Sequence, residues 1–345
     1  MNNTNAVGPG LVQLAQGSPV LDVRHLQVRL ETLDGPLFPV RDMSLNVSAH
    51  ETVAILGESG SGKSVTSLAL MGLLSKSNFS VSAESMRLKD VDLTQATERS
   101  WRSIRGSRIA MVFQDPQSSL NPVYTVGSQI AEMFTLGRGA SRRDARRAAL
   151  EMMDKVRIPD AANKYDSYPH EFSGGMRQRI VIAIALALEP ELLIADEPTT
   201  ALDVTVQARI LDLFKEVAKD SSMGTVLITH DVAVAATVAD RISVMYAGRL
   251  VEEGPTRQVL EHPAHPYTQG LLAAVPNAAD SRAVLIPIKG SPPNLSSIPS
   301  GCAFHTRCPL AREECGEAIP GLRHIADERS SACFFAEEVM ADATA

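Results

Sequence analysis

Residues Gly57-Glu58-Ser59-Gly60-Ser61-Gly62-Lys63-Ser64 read G-x-x-x-x-G-K-[ST] in full. The glycines let backbone amides close around phosphate oxygens without side-chain clash. Lys63 brings a point charge to β- and γ-phosphates, and the Ser64 hydroxyl can ligate Mg²⁺. These eight positions and the following Val65 are candidate nucleotide-binding residues. A second group lies far along the chain, where the apolar run Leu192-Leu193-Ile194-Ala195 ends in Asp196-Glu197-Pro198. Asp196 is placed to hold Mg²⁺. Glu197 beside it is suited to orient or deprotonate an attacking water. Alone, two acids after a core strand are often a solvated turn; beside a phosphate loop they complete a nucleotide site.

These groups need rigid supports. Thr52-Val53-Ala54-Ile55-Leu56 is a continuous apolar run, the pattern of a parallel strand buried on both faces. It runs into the glycine-rich loop and then into a helix expected over residues 64–74, whose positive end faces the anion. Residues 192–195 and 226–229 read as further buried strands, and 241–245 with 247–251 as a hairpin. Residues 20–23 and 26–30 alternate as short strands, Asp34-Gly35-Pro36 marks a turn, and 43–47 is another short strand. Residues 140–157 form an amphipathic helix whose Arg142, Arg143, Arg146 and Arg147 read as a solvated face. Residues 180–188 read as a buried helix. The expected organisation is a flexible tail over 1–19, rich in Asn, Gly and Ala, then one α/β domain over 20–261. A separate extension follows over 262–345, where Pro, Gly and Cys become denser and His262 and His265 shape a turn.

A resemblance to a known family follows from five ordered motifs. Phe172-Ser173-Gly174-Gly175-Met176 resembles the signature motif of ABC-type ATPases, with Phe172 where Leu is usual and Met176 where Gln is usual. Gln114 is similar to that family's Q-loop glutamine, Asp203 in Ala201-Leu202-Asp203 to the D-loop, and His230 to the switch histidine. The resemblance implies a P-loop NTPase fold: a mainly parallel core sheet, an antiparallel β subdomain and a helical subdomain at about residues 115–185. It implies ATP and Mg²⁺ as ligands, with Glu197, His230 and Lys63 catalytic and Ser64, Gln114 and Asp196 around the metal. It also implies a head-to-tail dimer in which Ser173, Gly174, Gly175 and Met176 act on the partner's ATP, as a helix N-terminus favours negative charge. Closure of that dimer would be a ligand-driven population shift. The family commonly stacks adenine on an aromatic near the end of the first strand; here Leu30 holds that place and Phe38 is the nearest aromatic downstream.

The branch of the family is read from longer matches. Tyr168-Pro169-His170-Glu171 before the signature, Asp115-Pro116-Gln117-Ser118-Ser119-Leu120-Asn121-Pro122 after Gln114 and Asp203-Val204-Thr205-Val206-Gln207 are similar to the oligopeptide/dipeptide/nickel importer group, with a D-subunit-like signature. So are His265-Pro266-Tyr267-Thr268 and Gly301-Cys302-Ala303-Phe304-His305-Thr306-Arg307-Cys308-Pro309. The implied assembly is a heterodimer with a homologous F-type ATPase subunit, two membrane permeases and an extracytoplasmic substrate-binding protein, at the cytoplasmic face of the plasma membrane. Residues 120–123 would lie near the permease contact. Peptides are the expected cargo, with nickel, glutathione or another solute as the alternative.

All four cysteines, Cys302, Cys308, Cys315 and Cys333, fall within one stretch. Four thiolates close in sequence can hold an iron–sulfur cluster or Zn²⁺. The spacing lacks the paired C-x₂-C knuckles of structural zinc, which favours iron–sulfur, and the resemblance to the importer group implies a 4Fe-4S cluster; zinc and free or disulfide-bonded thiols remain alternatives.

The chain has 345 residues, 44% hydrophobic and 21% charged, which is the make-up of a folded protein rather than a disordered one. Its net charge of -7 argues against nucleic acid as a partner. The longest apolar stretch, residues 180–188, is far below the ~20 residues of a spanning helix. A soluble ABC ATPase acting on ribosomes or DNA is a competing class, but ribosome-acting members usually fuse two cassettes and this chain has one. The stretch between Lys63 and Asp196 is too short for the coiled coil of DNA-repair members. A pure nucleotide sensor is opposed by the intact Lys63, Asp196, Glu197 and His230.

Overall fold

The computed structural model describes residues 19–200, 202–220, 222–274 and 287–342. Residues 1–18 of the expected N-terminal tail and part of the extension lie outside them. Five strands run parallel in the spatial order Arg241–Tyr246, Thr52–Leu56, Gly224–Thr229, Leu192–Asp196 and Ile109–Val112. Every residue of these strands is buried, as a sheet covered on both faces requires. Alternation along Thr52–Leu56 divides the core in two: Val53 and Ile55 pack on one face, Ala54 and Leu56 on the other. The sheet continues through Arg249–Pro255, antiparallel to Arg241–Tyr246 across a two-residue turn at Ala247 (φ 45°) and Gly248 (φ 79°). Both left-handed positions suit the right-handed twist of a hairpin.

Beyond that hairpin lies an antiparallel β layer of Gly35–Val47, Leu21–Thr32, Phe79–Ser82, Ser85–Leu88 and Val91–Asp92. The short strands expected at 20–23 and 26–30 are one strand, Leu21–Thr32. Its register shifts between Val23 and Leu26, and twice more before Leu30. His25 is held at φ 50° in the first of these bulges. Each bulge interrupts the period-2 pattern, so the sequence shows fragments of a single element. Likewise the short strand at 43–47 is the end of Gly35–Val47, and the turn falls at residues 33–34, one step before Gly35.

The helix after the phosphate loop is Lys63–Leu70, shorter than expected. Gly72 stops it at φ 61°, and the Trp101 ring fills the space where a Cβ on Gly72 would stand, 2.3 Å away. The helical subdomain contains Pro116–Ser119, Val126–Arg138, Arg142–Lys155, Ala161–Lys164 and Gly174–Leu186. Hydroxyls of Thr125, Ser141 and Ser173 cap the three longer helices, each cap typically contributing about 1 kcal/mol. The arginine-rich face of Arg142–Lys155 is not wholly solvated: the Arg146 guanidinium lies 3.9 Å over the Tyr165 ring and pairs with Asp166.

The C-terminal extension is not a separate body. Arg323–Ala326 pairs with Arg329–Ser331, which in turn joins the main sheet at Arg249–Pro255, with Glu252 opposite Ser331. Glu252 is fully buried and accepts hydrogen bonds from the Ala264 and His265 amides and from Arg329 Nη2, at 2.8, 3.0 and 2.8 Å. Tyr246 of the main sheet packs on Tyr267 and Phe304 of the extension, with ring centroids 4.6 and 5.3 Å away. Among the described residues no helix is long and apolar enough to cross a membrane.

Candidate active site

The phosphate loop is moulded by its neighbours. A Cβ on Gly57 would lie 2.3 Å from the Met245 carbonyl oxygen, and one on Gly62 (φ 108°) 2.3 Å from that of Pro39. No side chain fits at either position. Lys63 is buried at the start of the helix Lys63–Leu70, and its Nζ donates to the carbonyls of Gly57 and Glu58 at 2.7 and 2.9 Å. Burial pushes its ammonium below the usual lysine range, against the pull of Glu197, Asp196 and Glu58. The Ser61 hydroxyl is buried without a hydrogen-bond partner. An orphan donor in a glycine-rich loop at a helix N-terminus fits a phosphate oxygen.

Asp196, at the end of Leu192–Asp196, accepts from Ser64 Oγ on one carboxylate oxygen and Ser67 Oγ on the other, both at 3.3 Å. Burial pushes its carboxyl above the usual range, with the two hydroxyls and Lys63 opposing. A divalent cation at Ser64 and Asp196 would favour the ionised form. The donor set of hydroxyl and carboxylate oxygens fits Mg²⁺.

Glu197 stands in the left-handed region at φ 47°. Its Oε1 lies 3.0 Å from His230 Nδ1, and its Oε2 accepts from Gln114 Nε2 at 2.9 Å and Thr200 Oγ1 at 3.0 Å. Gln114, Glu197 and His230 follow the ends of three adjacent parallel strands, Ile109–Val112, Leu192–Asp196 and Gly224–Thr229. The phosphate loop follows the next strand in the same sheet. The carboxyl ends of parallel strands therefore gather the glycine-rich loop, Asp196, Glu197, Gln114 and His230 on one edge.

The signature residues lie on another element. Ser173 Oγ accepts from the Met176 amide at 3.4 Å and caps Gly174–Leu186. Gly175 is pressed against Val206, with a Cβ position only 2.3 Å from Cγ1, while Gly174 faces Leu202 at 3.7 Å. Asp203 Oδ1 accepts from the Val206 amide at 2.9 Å, at the start of the helix Val204–Asp220; Ala201 lies outside the described residues. Leu30 pairs with Leu37 across the hairpin, and Phe38 is half-buried next to Pro39, the residue abutting Gly62.

Sequence reasoning missed Ser67, Thr200, Tyr267 and Arg307. Ser67 lies three residues after Ser64 on the same helix face, and Thr200 follows Glu197 by three, so spacing offered a signal for both. Tyr267 and Arg307 reach the loop from more than 200 residues away: the Tyr267 hydroxyl accepts from the Glu58 amide at 2.8 Å, and Arg307 pairs with the Glu58 carboxylate. His265, expected only to shape a turn, is fully buried and caps the helix Pro266–Ala273 through Nδ1.

All four cysteines are free and line one small cavity with His265, Phe304 and His305. Burial, with the nearby thiols reinforcing it, pushes Cys308 and Cys333 up to about 11, and burial also raises Cys302. Among the described residues, no three His, Cys, Asp or Glu side chains are drawn together as a formed metal site. The donor chemistry and the shared cavity fit a thiolate-held group.

Comparison with known proteins places these features in a family. The ABC transporter model matches residues 40–200, and the model of the oligopeptide/dipeptide transporter C-terminal region matches residues 251–315. A Brucella melitensis protein named for peptide import and ATP binding is 48% identical over 334 residues, covering 94% of this chain and 99% of its own length. The dipeptide transport ATP-binding protein DppD of Bacillus subtilis is 46% identical over 319 residues, covering 92% and 95%. Among solved structures, the ATP-binding cassette MJ0796, in a dimeric post-hydrolysis state with ADP and Pi, matches with a TM-score of 0.61 and 26% identity, covering 69% of this chain and 99% of that one. Clostridium perfringens cbiO1, part of an ABC transporter complex, matches with a TM-score of 0.59 and 25% identity, covering 70% and 91%.

Proposed function

The chain belongs to the ABC transporter family as a peptide-import ATP-binding subunit, and from that premise we propose how its residues divide the work. Its ATPase activity is coupled to transport through permease partners and a substrate-binding protein. Gly57 to Val65 bind the nucleotide phosphates, and Ser64, Gln114 and Asp196 would hold Mg²⁺, which would supply charge neutralisation on the phosphates. Glu197 takes the proton of the attacking water. Gln114, Thr200 and His230 fix the direction of its carboxylate.

The carrying observation is the clamp on Glu197: both carboxylate oxygens are hydrogen-bonded to groups from neighbouring strand ends and the adjoining turn. A solvated acidic turn has no need of three partners. Ser173, Gly174, Gly175 and Met176 act on the nucleotide of a homologous ATPase subunit, so ATP favours the closed dimer and hydrolysis releases it. The subunit works at the cytoplasmic face of the membrane, drawn there by its permeases.

The decisive experiment is ATP hydrolysis by the chain in complex with its permeases and binding protein, with and without di- and oligopeptides. Peptide-stimulated turnover is expected. Turnover indifferent to every peptide would move the cargo to another solute.

For the cysteines we favour a structural 4Fe-4S cluster held by Cys302, Cys308, Cys315 and Cys333, with Zn²⁺ as the alternative. The reading is supported by four thiols lining one cavity; burial disfavours bare thiolates there, a cost that a bound metal would have to offset. Anaerobically purified protein should contain iron and inorganic sulfide; zinc without iron would exchange one reading for the other.

A further inference from the structure

We propose that Arg307 is a positioning residue for ATP binding, holding the phosphate loop in shape from the C-terminal extension by its ion pair with Glu58. The proposal rests on the reading of Gly57 to Ser64 as the phosphate grip. Glu58 is the second residue of that grip, and two groups hold it. Arg307 Nη1 and Nη2 donate to its two carboxylate oxygens at 2.8 and 3.1 Å, a bidentate fork. Tyr267 Oη accepts from its backbone N–H at 2.8 Å. Both partners come from the extension, beyond the strands that build the rest of the site.

Arg307 is itself fixed. Its side chain is 4% exposed. Nε donates to the Lys289 carbonyl at 3.0 Å, and Nη1 also reaches the Tyr246 hydroxyl at 3.3 Å. The guanidinium stands 5.8 and 5.9 Å from the centroids of the Tyr246 and Phe304 rings. A guanidinium held at every corner is a rigid post, unlike a surface arginine that must lose rotamer freedom to form its pair.

The loop needs such a post. Gly60 and Gly62 sit at φ 81° and 108°, and glycine loses more backbone freedom on ordering than any other residue. A loop ordered before ATP arrives spares the nucleotide that ordering cost; a loosened loop lowers the binding-competent fraction and raises the apparent dissociation constant in proportion. Arg307 has no hydrogen bond to Asp196, Glu197, Gln114 or His230 among those of its side chain. Its loss should therefore move affinity and leave the chemical step alone.

The test is equilibrium binding of Mg–ATP to the full chain, with melting temperature recorded alongside, and KM and kcat of the assembled complex. For Arg307→Gln the dissociation constant should rise about fivefold to tenfold, with kcat within about twofold. Glu58→Gln should also raise the dissociation constant, and the double variant should bind no more weakly than the weaker single one, since both remove one interaction. Arg307→Lys, which keeps the charge and loses the fork, should fall between. A merely structural Arg307 would lower the melting temperature while the folded protein binds Mg–ATP as the wild type does; that result, or additive losses in the double variant, overturns the proposal. If Arg307→Gln does not fold, Arg307→Lys and Tyr267→Phe decide, and unchanged affinity in both overturns it. Failure of the wild-type chain to bind Mg–ATP would instead overturn the phosphate-grip reading, and this proposal with it.

Discussion

Glu197 Oε1 and His230 Nδ1 lie 3.0 Å apart, on residues that follow adjacent parallel strands. The contact explains a backbone that would otherwise be unfavourable. Glu197 at φ 47° carries strain of about 1–3 kcal/mol, and its amide donates to the Ile228 carbonyl at 2.9 Å. Strain, amide bond and three side-chain contacts leave its carboxylate one direction. On the proposed assignment of Glu197 as base, a carboxylate already aimed at the attacking water is where rigidity has catalytic value.

Replacing Glu197 by Gln keeps the volume and a carbonyl oxygen for Gln114 and Thr200, but removes the proposed base. Mg–ATP binding should stay within about twofold, while turnover falls by about 10²-fold or more. Steady-state hydrolysis by the assembled complex, with nucleotide affinity measured separately, checks both halves. Turnover near wild type would remove Glu197 from the mechanism.

Asp196 yields a prediction with opposite signs for stability and function. Burial raises its carboxyl above the unfolded value, so the stability it contributes is present at low pH and is lost as pH rises through the folded value. Above the folded value, the nucleotide-free carboxylate carries a burial cost that Asn lacks. Asp196→Asn should therefore melt higher than wild type at pH 7, with the difference closing below about pH 4. The same variant should lose Mg²⁺-dependent ATP binding. A lower melting temperature at pH 7 would contradict the burial argument.

How much of this site could be read in the sequence depended on whether its parts were contiguous. The phosphate grip is eight successive residues, and Asp196-Glu197 ends an unbroken apolar run, so backbone geometry and chemistry coincide in one window. Arg307 and Tyr267 carry no such mark, because their role exists only once the extension folds back over the loop. The strand Arg329–Ser331 was invisible for another reason. It is polar throughout and yet wholly buried, and partners remote in sequence, the Glu252 carboxylate and the His262 and Ala264 carbonyls, make that burial tolerable. The bulges of Leu21–Thr32 hid one long strand by breaking its alternation, and the Trp101 ring on Gly72 ended a helix that its own sequence would have continued.

His265 provides a pH test of the extension. Burial alone lowers its imidazole to about 3, so it is neutral in the fold, with Nδ1 accepting from the Tyr267 amide. In the unfolded chain it protonates near 6.5. Its stabilising contribution is thus full above that value and lost as pH falls, at about 1.4 kcal/mol per unit, or about 2 kcal/mol by pH 5. His265→Asn can keep the cap and does not titrate. Denaturant midpoints at pH 7 and pH 5 should fall less steeply for the variant than for wild type; parallel slopes would mean that His265 is not buried neutral.

Arg329 and Glu252 test whether the extension and the ATPase core share one folding unit. The side chains are 5% and 0% exposed, with Nη2 2.8 Å from Oε1, and Arg329 Nη2 also donates to the His262 carbonyl at 2.6 Å. Removing one partner strands the other charge in the interior, which costs about 3–5 kcal/mol. Arg329→Met keeps the apolar stem and removes the guanidinium, leaving Glu252 without a cationic partner beside the Ala264 and His265 amides. If the extension is part of the core, the whole chain should unfold at lower denaturant in a single transition, and Mg–ATP should protect the variant less than wild type. If it were an independent module, the variant would show two transitions, with the nucleotide-protected one unmoved. Adding Glu252→Leu should recover much of the loss, because a buried pair replaced on both sides by apolar groups leaves no orphan charge.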